Sequence, residues 1–79
     1  MRLRDAIERV AVIVKELEEL DELPDGDYNL AIDAGFDSLG MLELQQQVED
    51  EFGIRFAPSE VEKMQTIRDV AVAATRWYY

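Results

Sequence analysis

The sequence predicts an all-α fold, a four-helix bundle of three longer helices and one short one with a long first loop. Three observations predict it. Apolar residues recur at spacings of three and four along most of the chain, the period of a helix face. The apolar fraction, 48%, belongs to a chain with a packed core. No stretch reads as a strand with a second strand to pair with. A length of 79 residues makes room for one domain, taken as residues 1–79. A core of that size places stability at the low end of the ~5–15 kcal/mol of folded proteins.

The first helix follows from Leu3, Ile7, Val10, Val14 and Leu17, which form one apolar stripe, with Glu8, Arg9, Lys15, Glu16, Glu18 and Glu19 as its solvated side. Pro24, Asp25 and Gly26 end that element and open a loop. The loop, from about Leu23 to Phe36, is long for a bundle, and alternating Tyr28, Leu30 and Ile32 suggest a strap laid over the core. Gly35 offers a flexible position before the next helix. The second helix is expected from Asp37 or Ser38 to Phe52, buried through Met41, Leu44, Val48 and Phe52 and stopped by Gly53. Ser59-Glu60-Val61-Glu62 has capping-box spacing and predicts a short helix over Ser59 to Met64. Thr66-Ile67-Arg68-Asp69 gives a weaker version of that signal. It opens a last helix in which Ile67, Val70, Ala71, Ala74 and Trp77 share a face. Leu39, Leu42, Leu44, Val48, Phe52, Phe56, Met64 and Ile67 are expected first as core.

Composition excludes several function classes. Without cysteine there is no disulfide, thiolate metal site or thiol nucleophile, and without histidine no Ser–His–Asp triad can form within the chain. Group-transfer chemistry would have to come from a prosthetic group or from a partner's residues. A net charge of −10 disfavours nucleic acid and anionic membrane surfaces, and favours partners with basic patches. No apolar run reaches the ~20 residues of a membrane span. The start, Met1-Arg2-Leu3-Arg4-Asp5, turns acidic too soon for a signal peptide, so a cytoplasmic protein is expected. A monomer is expected as well.

The stretch that carries chemistry is Asp33-Ala34-Gly35-Phe36-Asp37-Ser38-Leu39-Gly40. A serine at a helix start is expected to expose its hydroxyl where unpaired N–H groups and the helix dipole favour an anion such as a phosphodiester. Taken alone, an Asp-Ser pair before an apolar helix is an ordinary cap. Its surroundings say more. Gly35-Phe36-Asp37-Ser38-Leu39, followed by Glu43-Leu44 and by Val48-Glu49-Asp50-Glu51-Phe52-Gly53-Ile54, resembles the acyl carrier protein family. The likeness runs through nearly the whole chain. Leu3 to Leu20 looks like the family's first helix, Leu30 and Ile32 like its loop anchors, and Thr66-Ile67 like the opening of its last helix.

The resemblance implies a carrier, not an enzyme. The serine matching Ser38 would be the attachment point of 4′-phosphopantetheine, flanked by Asp37 and Leu39 and transferred from coenzyme A by a phosphopantetheinyl transferase. The arm would bring the thiol that the chain lacks and hold acyl groups as thioesters. Partners would be acyltransferases, ketosynthases, ligases or similar biosynthetic enzymes with basic docking patches. The family docks through its second helix, where Asp37, Glu43, Glu49 and Asp50 supply acid, with Glu60 and Glu62 on the third helix as additions. Glu43 and Asp50 are two turns apart and project on one side. The family's gap between second and third helices can hold an acyl chain, for which Leu42 and Met64 are the preferred lining candidates. No metal is implied.

Departures from the family pattern bear on the pathway. Gly40 stands where fatty-acid carriers usually have aspartate, Gln45 and Gln46 where an apolar pair is common, and Ala34 where leucine is usual. Gly-Phe-Asp-Ser-Leu is frequent in carriers of polyketide synthases. These features lean toward polyketide or other specialised biosynthesis over a fatty-acid synthesis carrier, and an aminoacyl or peptidyl carrier is a further alternative. Outside the carrier class stand an unmodified acidic adaptor and a calcium-binding module. For calcium, Asp25-Gly26-Asp27-Tyr28-Asn29 opens like an EF-hand loop, but Leu30 takes the place of its glycine and Phe36 that of its final glutamate.

Overall fold

A computed structural model describes residues 1–76. The helices are α1 (Leu3–Glu18), α2 (Ser38–Phe52), α3 (Pro58–Val61) and α4 (Ile67–Thr75). Among the described residues there is no strand, only a single antiparallel bridge between Asn29 and Thr66. α1 packs chiefly along α4 and less extensively against α2. Ala6 and Ala11 of α1, and Ala71 and Ala74 of α4, are fully buried. Such small side chains on two packed helices shorten the distance between their axes. Val10, Val14, Leu44, Val48, Ile67 and Val70 supply the bulk of the core. Trp77, assigned to the core face of α4 from its spacing, lies outside the described residues.

Several sequence expectations are corrected. α1 ends at Glu18, not at Pro24. Glu19 takes the left-handed conformation (φ 53°), and its N–H bonds to the Lys15 carbonyl. The stripe rotates toward Ala6, Val10, Ile13 and Val14, which leaves Leu3 exposed. α3 begins at Pro58, whose missing N–H suits a first turn, and it stops at Val61. The returning carboxylate is that of Glu60, which accepts from Ala57 N–H at 3.0 Å, so Ser59 and Glu62 do not form the expected box. α4, by contrast, opens as expected. Thr66 Oγ1 accepts from Asp69 N–H at 3.2 Å, and Asp69 Oδ2 accepts from Thr66 N–H at 3.1 Å.

The long loop is tied down by turns instead of lying as an extended strap. Asn29 Oδ1 accepts from the N–H groups of Ala31 and Ile32, while Asp33 Oδ2 accepts from Asn29 N–H. A turn breaks the alternation that a strand would impose. Leu30 therefore points into the core at 1% exposure, and Ile32, expected as a second anchor, stands out at 82%. Tyr28 packs against the core, and its phenol is pushed above its ordinary pKa by burial first and then by the negative charges of Asp33 and Glu18. Carbonyls of the loop also reach the start of α4. Gly26 accepts from Arg68 N–H at 2.9 Å and Tyr28 from Ile67 N–H at 3.2 Å, while Leu30 N–H donates to Gln65 at 2.9 Å. Arg68 also pairs with Asp27 across the same junction.

From Leu30 the chain turns directly into α2. Phe36 N–H donates to the Leu30 carbonyl at 2.9 Å, and Gly35 takes φ 71°, a conformation that disfavours other residues. The Phe36 side chain then folds against the first turn of α2. A Cβ added at Gly40 would lie 2.9 Å from Cδ1 of that ring and 3.3 Å from its Cβ. Glycine at 40 costs about 1 kcal/mol of helix propensity relative to alanine, and a Cβ there would crowd the Phe36 ring unless the ring moved.

Two consequences can be measured by urea unfolding. Leu30→Ala should cost about 2–5 kcal/mol, the range for emptying a core position, whereas Ile32→Ala should cost under about 0.5 kcal/mol. Equal losses would contradict the inward and outward assignment. Gly40→Ala should fail to stabilise the wild type, yet should stabilise a Phe36→Ala background by about 1 kcal/mol. Additive effects would show that the ring does not exclude a side chain at position 40.

Candidate functional site

Ser38 is the first residue of α2, and it is exposed. Asp37 forms the cap. Its Oδ1 accepts from Gly40 N–H at 2.9 Å and its carbonyl from Met41 N–H at 2.9 Å. The Ser38 hydroxyl and the N–H groups of Ser38 and Leu39 have no hydrogen-bond partner among the described residues. α4 differs in this respect, because the loop carbonyls and Thr66 claim the donors of its first turn. α1 also begins without a side-chain cap, but Arg2 and Leu3 at its start offer no hydroxyl. The beginning of α2 thus combines a free hydroxyl, free N–H donors and the positive end of a helix dipole. That set suits a phosphodiester anion.

A shallow groove of about 530 Å³ runs from this point between α2 and α3. Phe36, Met41, Leu42 and Val61 give it apolar walls, Asp37 and Ser38 lie at one end, and Gln45 completes the lining. Sequence reasoning had placed Leu42 and Met64 together as pocket candidates, and the structure separates them. Leu42 lines the groove beside Ser38, while Met64 lies in another, of about 340 Å³, with Lys63, Arg68 and Val72. Leu39 and Leu42 were expected in the core but are 65% and 45% exposed. Leu39 sits on the outer side of α2, away from the Leu44, Val48 and Phe52 stripe, and Leu42 lies between that side and the groove. Phe36, Gln45 and Val61 were not singled out as lining residues. The signal for Gln45 was its place on the Ser38, Met41, Leu42 stripe at spacings of three and four.

The acidic residues divide by what their carboxylates already do. Asp37 caps α2, Glu49 Oε2 accepts from Phe56 N–H at 2.8 Å, and Glu60 accepts from Ala57 N–H. Glu43, Asp50 and Glu62 are exposed and make no hydrogen bond or ion pair among the described residues. Glu43 and Asp50 share the outer face of α2 with Leu39 and Gln46. The segment weighed as a calcium loop has other occupations. Asp25 accepts from Asp27 N–H, Asp27 pairs with Arg68, and no acidic cluster able to hold a metal ion occurs among the described residues. Nor, among those residues, is any helix long and apolar enough to cross a membrane.

Comparison with known proteins agrees with this fold. The family model described as a phosphopantetheine attachment site matches residues 8–73. The structure is similar to that of a protein described as an acyl carrier protein from Mycobacterium tuberculosis. That match has 26% identity and a TM-score of 0.83, and it covers 91% of this chain and 97% of the other. The acyl carrier protein of Enterococcus faecalis shares the fold at 23% identity and a TM-score of 0.75, over 96% of this chain and 98% of its own. With a helical bundle of this type, and a family match across most of its length, the chain belongs to the phosphopantetheine attachment-site family of acyl carrier proteins, whose prosthetic group is 4′-phosphopantetheine.

Proposed function

We propose that Ser38 bears the 4′-phosphopantetheine arm and that the chain, one carrier domain over residues 1–79, presents acyl thioesters to partner enzymes without catalysing their reactions. The observation that carries this reading is the free Ser38 hydroxyl at an α2 start whose first N–H donors are unclaimed. In the modification, Ser38 Oγ bonds to the phosphorus that bears the pantetheine half of coenzyme A. The pyrophosphate P–O bond to the nucleotide half breaks, and the hydroxyl proton goes to a base on the phosphopantetheinyl transferase. The chain has no histidine or cysteine with which to do acyl chemistry itself, which is the character of a carrier in the cytoplasm serving acyltransferases, ketosynthases or ligases.

Polyketide or other specialised biosynthesis is the pathway the local residues favour. Gly35-Phe36-Asp37-Ser38-Leu39 carries the aromatic residue seen in that class, and Gly40 removes an acid common in fatty-acid carriers. The packing of Phe36 on Gly40 makes these two departures one feature, since a side chain at 40 would meet the ring.

Intact mass after incubation with coenzyme A and a broad-specificity phosphopantetheinyl transferase should increase by one phosphopantetheine, and Ser38→Ala should abolish the increase. An adduct that persists in Ser38→Ala would move the attachment elsewhere. Loading of the holo form by malonyl or other specialised donors over aminoacyl donors would support the pathway reading.

Docking supplies a further test. Glu43 and Asp50 have carboxylates free for a basic partner, so Glu43→Lys and Asp50→Lys should slow transfer several-fold at low ionic strength, and salt should narrow the difference. Glu49→Lys should also lower stability, because it removes the acceptor of Phe56 N–H. Unchanged transfer rates for the first two variants at low salt would remove α2 as the steering surface.

A further inference from the structure

We infer that Gln45 holds the phosphopantetheine arm in the groove between α2 and α3 through hydrogen bonds from its side-chain amide to an amide of the arm. The inference rests on attachment at Ser38. Along the groove floor, Ser38, Met41, Leu42 and Gln45 recur at helical spacing on one stripe of α2. Ser38 and Gln45 are two turns apart, about 10 Å along the helix axis. An arm leaving Ser38 along this stripe carries first its phosphodiester, then a branched dimethyl carbon, then a hydroxyl-bearing carbon joined directly to the first of two amides, which are separated by methylenes.

That order of groups matches the order of the lining. The phosphodiester falls at the unclaimed N–H groups of Ser38 and Leu39. The dimethyl carbon falls between Met41, Leu42 and Val61, which are apolar. The amides arrive at the level of Gln45, whose side chain offers one acceptor and two donors. Gln45 is half-buried, and its amide makes no hydrogen bond among the described residues. Leucine or valine at this position would leave a secondary amide of the arm facing an apolar wall, where its partners would have to be water. Gln46, the next residue, is exposed on the outer face and does not line the groove. The pair therefore separates a groove role from a general taste for glutamine on this helix.

The test compares apo and holo protein, both ¹⁵N-labelled, by NMR. On attachment of the arm with its thiol free, the Gln45 side-chain NH₂ signals should shift. The arm's dimethyl protons should show nuclear Overhauser contacts to the Leu42 and Val61 methyls. In holo Gln45→Leu, of identical added mass, the arm's amide protons should move to the positions of free pantetheine and exchange faster with water. Holo Gln46→Leu should keep the wild-type arm signals. Coincident Gln45 side-chain signals in apo and holo wild type, or arm signals that are the same in the two variants, would overturn the inference while leaving the carrier reading intact. Absence of any mass adduct would instead sink attachment itself, and this inference with it.

Discussion

The carbonyls of Gly26 and Tyr28 accept the N–H groups of Arg68 and Ile67, and most of what matters in this protein follows from that junction. A helix start leaves backbone donors without intrahelical partners, and here the long loop supplies them for α4. In doing so the loop fixes its own path. Leu30 is drawn into the core, the turn around Asn29 closes, and Phe36 bonds back to Leu30. Two residues later α2 begins. Its first donors have no loop to meet them, because the loop is already committed to α4. The α4 start is closed by the loop, whereas at α2 Asp37 takes the third and fourth donors and leaves the first two, of Ser38 and Leu39, unclaimed.

Much of this was legible in the residues. The α2 boundaries, its stop at Gly53, the Thr66 and Asp69 reciprocal cap and the buried face of α4 all follow from local rules, and local rules suffice where the interaction is between near neighbours in sequence. The misses are mostly local contacts that compete with the rule applied: a turn or a cap won where the apolar spacing or a proline was read instead. Leu30 and Ile32 are chemically alike, and only the turn built on Asn29 sends them in opposite directions. Glu19 accepts the left-handed strain usually left to glycine, so α1 closes before the proline that marked its end in the sequence. The groove beside Ser38 needs Val61 from α3, a helix whose start had been placed one residue late and whose end three residues late. The match of Gly40 to the Phe36 ring spans only four positions, yet it depends on a ring orientation that no spacing rule encodes.

A net charge of −10 also looks different once the hydrogen bonds are assigned. Asp37, Glu49, Glu60 and Asp69 each accept a backbone N–H at a turn or helix end, which is what a carboxylate near the positive end of a helix or in a loop does well. Asp27 and Glu51 are paired with Arg68 and Arg9. These acids serve the fold. A partner's lysine or arginine could reach only the remaining oxygen of each without disturbing these bonds. Glu43 and Asp50 carry no such obligation, so charge on the outer face of α2 is available without loss of structure.

The groove next to Ser38 is shallow, and its depth is limited by what already fills the interior. Leu44, Val48, Phe52, Phe56, Met64 and Ile67 are buried against one another's surroundings and leave the α2–α3 side as a surface feature instead of a chamber. A closed chamber would hold a tethered group firmly but would have to open before any enzyme could reach it. A shallow groove with apolar walls and one amide would hold it weakly, through contacts that a partner's own surface could replace. If Ser38 carries the arm as proposed, a tether that can rest against the protein and leave again is what a carrier without histidine or cysteine requires, and Met41, Leu42, Gln45 and Val61 offer it a surface to rest on.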